Sequence, residues 1–296
     1  MINLLLEAIG FGIVSASITA IGAMGFTLQF GLTNVFNIAY GAVMTLGAFA
    51  AYLVNATGVN PWWGVVAGCA AGAVSTLIIG KGVFPPFARR GLGLLEIVML
   101  TLGLTLIIQY GVNALSRGKL YQFYFPTGKS VALGPVVLTS TELIIIAIGA
   151  GVFVAITLLL RLTRLGKALR AMSVEPRLAR ACGIPTGRIV NVTWLLSGLL
   201  AGLAGVTYIM NSLTVDSYVG SDFLAPVLAA AILGRAGSPG GAVIASLLVG
   251  LATEIVSALG GSAYSTAAGF AILLIVLVTR PSGVISEVAQ KLEITV

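Results

Sequence analysis

Nine apolar runs occupy most of this chain of 296 residues, and they limit its fold more than any other feature. A helix needs about 20 apolar residues to cross the roughly 30 Å hydrocarbon core of a bilayer. Only 8% of the residues are charged, whereas a soluble domain has roughly 25%. The sequence therefore predicts an all-α, polytopic bundle of about eight spans that forms one transmembrane domain over residues 1–296. The runs cover about residues 8–30, 34–54, 61–80, 93–115, 140–160, 191–211, 223–234, 241–259 and 262–279.

Two of these regions do not read as simple straight spans. Only Gly31-Leu-Thr33 separates the first two runs, and the seventh run has about a dozen residues, which is too short to cross alone. We expect broken or short helices at both places. Such breaks are tolerated only where protein or a water-filled cavity receives the freed backbone groups, so both regions are candidates for lining a translocation path.

The apolar runs are rich in small residues, and many of the chain's 38 glycines lie within them. Gly68 to Gly72 and Gly198 to Gly202 both follow the Gly-x-x-x-Gly pattern. In lipid, small residues let helix backbones approach closely. We expect these two pairs to pack helices within one molecule rather than to form a dimer.

Basic residues predict the orientation of the chain. Seven of its 16 bases lie between Arg161 and Arg188, against the single acid Glu175. By the positive-inside rule this segment is cytoplasmic. Counting spans from it predicts an external N-terminus and a cytoplasmic C-terminus. One loop does not fit this orientation, because it places the bases of residues 117–129 on the external side of the membrane.

This basic loop (residues 161–190) reads as two short helices. Leu165, Leu169 and Met172 recur at helical spacing and predict one apolar face on the first helix. Pro176 favours the start of a second helix, where its missing N–H costs nothing. The predicted apolar side of that helix is formed by Leu178, Ala181 and Cys182.

The end of the second helix carries stop signals. Gly183 can adopt the left-handed conformation of a C-terminal cap, and Pro185 prevents the helix from continuing. Thr186 is the predicted N-cap of the next span. The folded loop can rest its apolar face on the membrane interface, with its bases on anionic lipid, or it can project as a rigid knob that a partner moves.

Several longer pieces of sequence carry a resemblance to a known family. The chain resembles the LivH-type permease subunits of the branched-chain amino acid ABC importer family, from about residue 31 to 285. The pieces that match are Gly31-Leu-Thr-Asn-Val-Phe-Asn-Ile-Ala-Tyr-Gly within 31–48, Arg164-Leu-Gly-Lys-Ala-Leu-Arg-Ala, Ala181-Cys-Gly-Ile-Pro-Thr-Gly-Arg-Ile, Ala201-Gly-Leu-Ala-Gly-Val, Ala231-Ile-Leu-Gly-Arg-Ala-Gly-Ser-Pro-Gly-Gly-Ala and Arg280-Pro-Ser-Gly-Val-Ile.

The resemblance implies a multi-pass subunit of the bacterial inner (plasma) membrane. It would pass branched-chain amino acids, or a related small polar solute such as urea or a short amide, by alternating access. Its implied partners are a homologous second permease, two ATP-binding subunits, a periplasmic or extracellular solute-binding protein and membrane lipid, with no nucleic acid. The implied ATPase-coupling residues are Glu175, Arg177, Arg180, Gly183, Ile184 and Pro185.

The sequence offers no catalytic or metal site of its own. It has no His, and no Gly-x-x-x-x-Gly-Lys-Ser/Thr motif that would cradle nucleotide phosphates. We therefore expect no enzyme activity and no cofactor in this chain, with ATP and Mg²⁺ bound by partner subunits.

A few polar residues inside the apolar runs are candidates for the path. Asn34, Asn37 and Tyr40 open the second run, with the last two on one helical face, and Glu254 is the one acid well inside a run. Gln109 and Asn113 are also polar residues inside an apolar run, and the same two interpretations apply to them. Interhelical hydrogen bonding is the competing interpretation for all of them. An ion-coupled secondary transporter or a channel is the alternative function, although one isolated acid is weak support for proton coupling.

Overall fold

The computed structural model describes residues 2–88, 93–126, 128, 130–133, 136–235, 237–261 and 263–279. Within these residues the chain is mostly helical. The helices are α1 (Ile2–Thr33), α2 (Tyr40–Asn55), α3 (Pro61–Ile78), α4 (Phe84–Ala88), α5 (Leu94–Ser116), α6 (Ser140–Leu162), α7 (Arg164–Val174), α8 (Pro176–Ala181), α9 (Thr186–Ser212), α10 (Val219–Leu233), α11 (Pro239–Gly260) and α12 (Ala263–Thr279). A π-helical turn, Ile79–Val83, joins α3 to α4.

Six segments of the described chain are long and apolar enough to cross a membrane. The helices α2 and α10 are apolar but shorter, with 16 and 15 residues. The prediction of a polytopic helical membrane protein is confirmed. The six segments are 6–33, 61–87, 95–116, 140–162, 186–212 and 239–260.

Among the described residues, four short strands form two antiparallel pairs that the hydropathy pattern does not predict. Strand β1 (Tyr121–Gln122) pairs with β4 (Thr214–Val215), and β2 (Ser130–Leu133) pairs with β3 (Val136–Thr139). After β3, Thr139 and Glu142 form a capping box at the start of α6. The Thr139 N–H donates to Glu142 Oε2 at 2.6 Å, and the Glu142 N–H donates to Thr139 Oγ1 at 3.4 Å.

The chain forms two compact units. One contains residues 1–27, 126–153 and 223–296, and the other contains residues 28–125 and 154–222. The prediction of one transmembrane domain over residues 1–296 stays a prediction, as does the orientation. The bases at 89, 90 and 129 and the sequence piece at 280–285 lie outside the described residues.

Glycines set the packing of α2, α3 and α9 in the unit of residues 28–125 and 154–222. A Cβ on Gly72 would overlap the Gly198 carbonyl oxygen, and one on Gly68 would lie 2.8 Å from the Gly47 carbonyl oxygen. The Thr76 hydroxyl also donates to the Trp194 carbonyl oxygen at 2.8 Å. Both Gly-x-x-x-Gly patterns therefore pack helices within one chain, as predicted.

In the other unit, glycines also allow two helix backbones to approach closely. A Cβ on Gly250 of α11 would lie 2.6 Å from the Ala16 nitrogen of α1, and one on Gly12 would lie 3.1 Å from the Leu251 Cα. The backbones of α1 and α11 are therefore in close contact.

Candidate functional site

Helix α7 is fixed to the end of α6 by a cap and by a glycine. The Thr163 hydroxyl accepts the Gly166 N–H at 3.1 Å, which satisfies one of the N–H groups that lack an intrahelical partner. Gly166 is buried, and a Cβ there would overlap the Leu160 carbonyl oxygen. Any larger residue would push α7 away from α6.

Helix α8 has a defined cap at each end. The Glu175 side chain accepts the Arg177 N–H at 3.4 Å, and Pro176 occupies the first turn as predicted. At the other end Gly183 has φ +81°, its N–H donates to the Arg180 carbonyl at 3.0 Å, and the Ile184 N–H donates to the Ala179 carbonyl at 3.1 Å. These two bonds are a Schellman motif, which confirms Gly183 as the left-handed cap.

The inner face of the basic loop packs on protein. Its buried residues pack against Leu32 at the end of α1, Leu160 at the end of α6 and Val190 at the start of α9. The loop therefore does not need lipid to cover its apolar face. The buried residues are Leu169, Met172, Ala179 and Ile189.

Two details predicted for this loop are wrong. Leu178, Ala181 and Cys182 are exposed, and Ala179 is the buried residue of α8, because the Schellman motif brings Ala179 beneath Ile184. Thr186 is the first residue of α9, and Pro185 holds the N-cap position without a side-chain hydrogen bond.

The outer face of the loop combines bases with exposed apolar residues. Val174 is 84% exposed and Leu178 is 63% exposed. Arg170, Arg177 and Arg180 are also exposed. Large apolar side chains on a surface rimmed by charge are typical of protein contact sites. This surface suits a partner that offers an apolar groove with acidic edges.

The break between α1 and α2 holds the first group of candidate path residues. Asn34 has φ +51°, residues 34–39 are irregular, and α2 begins only at Tyr40. The break is confirmed, but Asn37 and Tyr40 do not share a helical face, because Asn37 precedes the helix. Thr101 of α5 stabilises the irregular backbone by accepting the Ile38 N–H at 3.3 Å.

Asn37 is the most unusual residue of this break. Its side chain is fully buried, and neither its Nδ2 nor its Oδ1 has a hydrogen-bond partner among the described residues. A buried amide without partners costs about 1–3 kcal/mol, so such groups call for an explanation. Asn34 is exposed and Tyr40 is buried at the start of α2.

The remaining polar candidates have partners. Ser221 donates to Gln109 Oε1 and Ser217 donates to Asn113 Oδ1, both at 3.2 Å. These bonds support the interpretation that Gln109 and Asn113 hold structural elements together. In the other unit, the Ser15 side chain of α1 interacts with the Glu254 carboxyl group of α11, which likewise favours a structural role.

Comparison with known proteins decides the family. The family model described as "Branched-chain amino acid transport system / permease component" matches residues 8–279. The chain belongs to this family of permeases. The chain is thus a multi-pass membrane permease subunit, as the sequence predicts.

Two curated relatives show how far the likeness extends. The permease is 26% identical over 294 residues to the high-affinity branched-chain amino acid transport system permease protein LivH of Escherichia coli K12, covering 93% of this chain and 94% of that protein. It is 30% identical to the ribose import permease protein RbsC of the same organism, covering 84% of this chain and 77% of that protein.

A solved structure supports the fold alone. The structure titled "PsaBC from Streptococcus pneumoniae in complex with Fab" matches with a TM-score of 0.53 at 18% identity, over 98% of this chain and 100% of that chain.

Sequence analysis missed two polar positions of this permease. Gln29, in α1, is buried and accepts a hydrogen bond from Ser197 at 3.1 Å, while its Nε2 has no partner among the residues described. In the sequence, the only sign of this buried position was that Gln29 is a polar residue near the end of an apolar run. Lys81 lies in the π-helical turn, and hydropathy contains no signal for a π-helix.

Proposed function

We propose that this permease is the membrane subunit of an ATP-driven importer and passes branched-chain amino acids, or a related small polar solute, inward by alternating access. Its curated relatives include both amino acid and ribose permeases, and full-length coverage by LivH favours the amino acid class. ATP and Mg²⁺ bind partner subunits, because this sequence has no phosphate-cradling motif.

The outer face of the basic loop carries the proposal. Glu175, Arg177 and Arg180 contribute charge to it, and the Gly183-Ile-Pro185 turn ends it. Both helices are capped, and their inner face is packed on α1, α6 and α9. A rigid, packed element transmits displacement rather than absorbing it, so force from a hydrolysing subunit reaches the spans.

The proposed assembly involves four kinds of contact, and only one of them is assigned to this loop. The loop docks on an ATP-binding subunit, of which the assembly has two. The subunit also pairs with a homologous permease, accepts solute from an external binding protein and contacts membrane lipid. Neither a secondary carrier nor a channel needs an exposed, capped and basic knob of this kind.

The test combines Gly183→Asp with Arg177→Glu. Aspartate at φ +81° strains the turn, and the charge reversal repels an acidic groove. We expect loss of ATPase co-purification and at least a tenfold fall in ATP-dependent leucine uptake, since each unpaired charge at an interface costs about 2 kcal/mol or more. Lys119→Glu, at an exposed base outside the loop, is the matched control. Normal ATPase association and uptake in the double variant would refute docking through this loop.

A further inference from the structure

A basic, open cavity lies where the basic loop meets the π-helical turn and the start of α9. It has a volume of about 430 Å³, and its lining residues all belong to the unit of residues 28–125 and 154–222. The π-helical turn, α8 and the start of α9 all contribute to its lining. Its polar lining residues are Lys81, Arg180, Thr186 and Asn191.

The charged side chains that line this cavity are both basic. Lys81 comes from the π-helical turn and Arg180 from α8, and no acidic side chain lines the cavity among the described residues. Two cations held at one cavity without a counter-ion favour an anionic ligand. Ammonium and guanidinium groups together suit a phosphate group, which accepts several charge-assisted hydrogen bonds.

The backbone adds donors to the same cavity. Thr186 and Gly187 line it as the first two residues of α9, a helix of 27 residues. The N–H groups of a first helical turn have no intrahelical acceptor and point away from the helix. The Arg188 and Ile189 N–H groups already donate to the Pro185 carbonyl, so the donors left for a ligand are those of Thr186 and Gly187.

The position of Lys81 depends on an uncommon backbone. Residues Ile79–Val83 form a π-helical turn, a rare structure that is frequently found at functional sites. The turn packs closely on α9, because a Cβ on Gly80 would lie 2.7 Å from the Trp194 indole and the rings of Phe84 and Trp194 are 5.0 Å apart. The turn therefore holds Lys81 beside the cavity on a well-packed base.

We propose that this cavity binds a phosphate group, which connects Lys81 of the α3 end to Arg180 of the basic loop. Two sources share this chemistry: the headgroup of an anionic phospholipid and free phosphate. A bound phosphate would connect the loop to the π-helical turn that follows α3, in addition to the helices that its apolar face contacts. The proposal does not depend on the transported solute or on ATP.

Native mass spectrometry of the delipidated full chain tests the proposal. The chain is titrated with phosphatidylglycerol in one arm, with inorganic phosphate in a second and with zwitterionic phosphatidylcholine in a third. We expect one tight anionic site in the wild type, and about fivefold weaker binding in Lys81→Gln and in Arg180→Gln, the effect of removing one base near an anionic headgroup. Both residues are exposed, so these variants keep their packing.

Lys167→Gln is the matched control, because Lys167 is an exposed base of the same loop that does not line the cavity. It should bind as the wild type does. Saturation in the phosphatidylglycerol arm alone assigns the site to lipid, and saturation in the phosphate arm assigns it to the free anion. The proposal is overturned if neither anion binds more tightly than phosphatidylcholine, or if Lys167→Gln weakens binding as much as Lys81→Gln.

Discussion

At the scale of single residues, Asn37 most clearly distinguishes a structural from a functional role. Buried polar groups in native proteins are nearly always hydrogen-bonded, yet both amide atoms of Asn37 lack a partner among the described residues. If Asn37 served only the fold, an apolar side chain of similar shape would serve it better. A residue that contacts a passing solute needs the amide.

Asn37→Leu tests this distinction. We expect the free energy of unfolding to stay the same or to rise by about 1 kcal/mol, because an unsatisfied amide is removed. We propose that the Asn37 amide contacts the solute, so uptake should fall about tenfold or more when it is removed. Thermal unfolding in detergent and solute uptake by reconstituted importer measure the two effects.

Thr141→Val provides the control for Asn37→Leu. The Thr141 hydroxyl is also buried without a partner among the described side chains, but it belongs to the start of α6 and not to the α1–α2 break. This variant should gain stability and keep its uptake. Full uptake by Asn37→Leu would show that Asn37 is not part of the path.

At the scale of elements, glycine contacts between α2, α3 and α9 hold their unit together. Van der Waals packing drives helix association in lipid, where there is little hydrophobic gain, so close backbone approach is essential. Gly47 and Gly202 are in such contact, since a Cβ on Gly47 would lie 2.9 Å from the Gly202 carbonyl oxygen. A single methyl group at these positions has to displace a whole helix.

Gly72→Ala should therefore destabilise the permease by about 1–3 kcal/mol, the usual cost of overpacking. Its Cβ would overlap the Gly198 carbonyl oxygen. Gly103→Ala is the matched control, because nothing lies within 4 Å of a Cβ at that position in α5. The midpoint of thermal unfolding in detergent should fall for the first variant and stay level for the second. Equal midpoints would show that backbone contact at Gly72 contributes little.

Periodicity predicted the elements better than it predicted their ends. The spans, the two loop helices and the Gly183 cap follow from apolar runs and from the chemistry of Pro and Gly. The buried residue of α8 could not be predicted, because six residues cover less than two turns and one position rotates the face by about 100°. The start of α2 was missed because hydropathy does not report the positive φ of Asn34.

The β1 and β4 strands illustrate a second limit. Each has two residues, and the pairing joins Tyr121 to Val215. Such short strands have no readable alternation, and the partner lies far along the chain. The pairing arises from how the helices place the loops, so only the structure could reveal it.

At the scale of the whole molecule, six segments of the described chain are long and apolar enough to cross a membrane, and the chain belongs to a permease family. With 8% charged residues and no His, it has few groups with which to couple transport to an ion gradient. The one acid well inside an apolar run, Glu254, interacts with the Ser15 side chain. This composition agrees with the proposal that partner subunits supply the energy for transport.

Reconstitution tests this expectation. Proteoliposomes that contain the chain alone should show no leucine uptake above empty vesicles under a proton or sodium gradient. Leucine uptake should appear when the ATP-binding subunits, the second permease, the binding protein and ATP are added. Gradient-driven uptake by the chain alone would support a secondary carrier instead.

The contact between Leu32 and the basic loop gives the molecule a short mechanical connection. Leu32 packs on the cluster that contains Leu169 and Met172, and only Thr33 separates it from Asn34, where the helix breaks. Under the proposed docking, a displaced α7 would push on the last turn of α1, and the irregular backbone that follows could rotate where a continuous helix would resist. The irregular main chain that begins at Asn34 therefore follows directly on the part of α1 that the loop contacts.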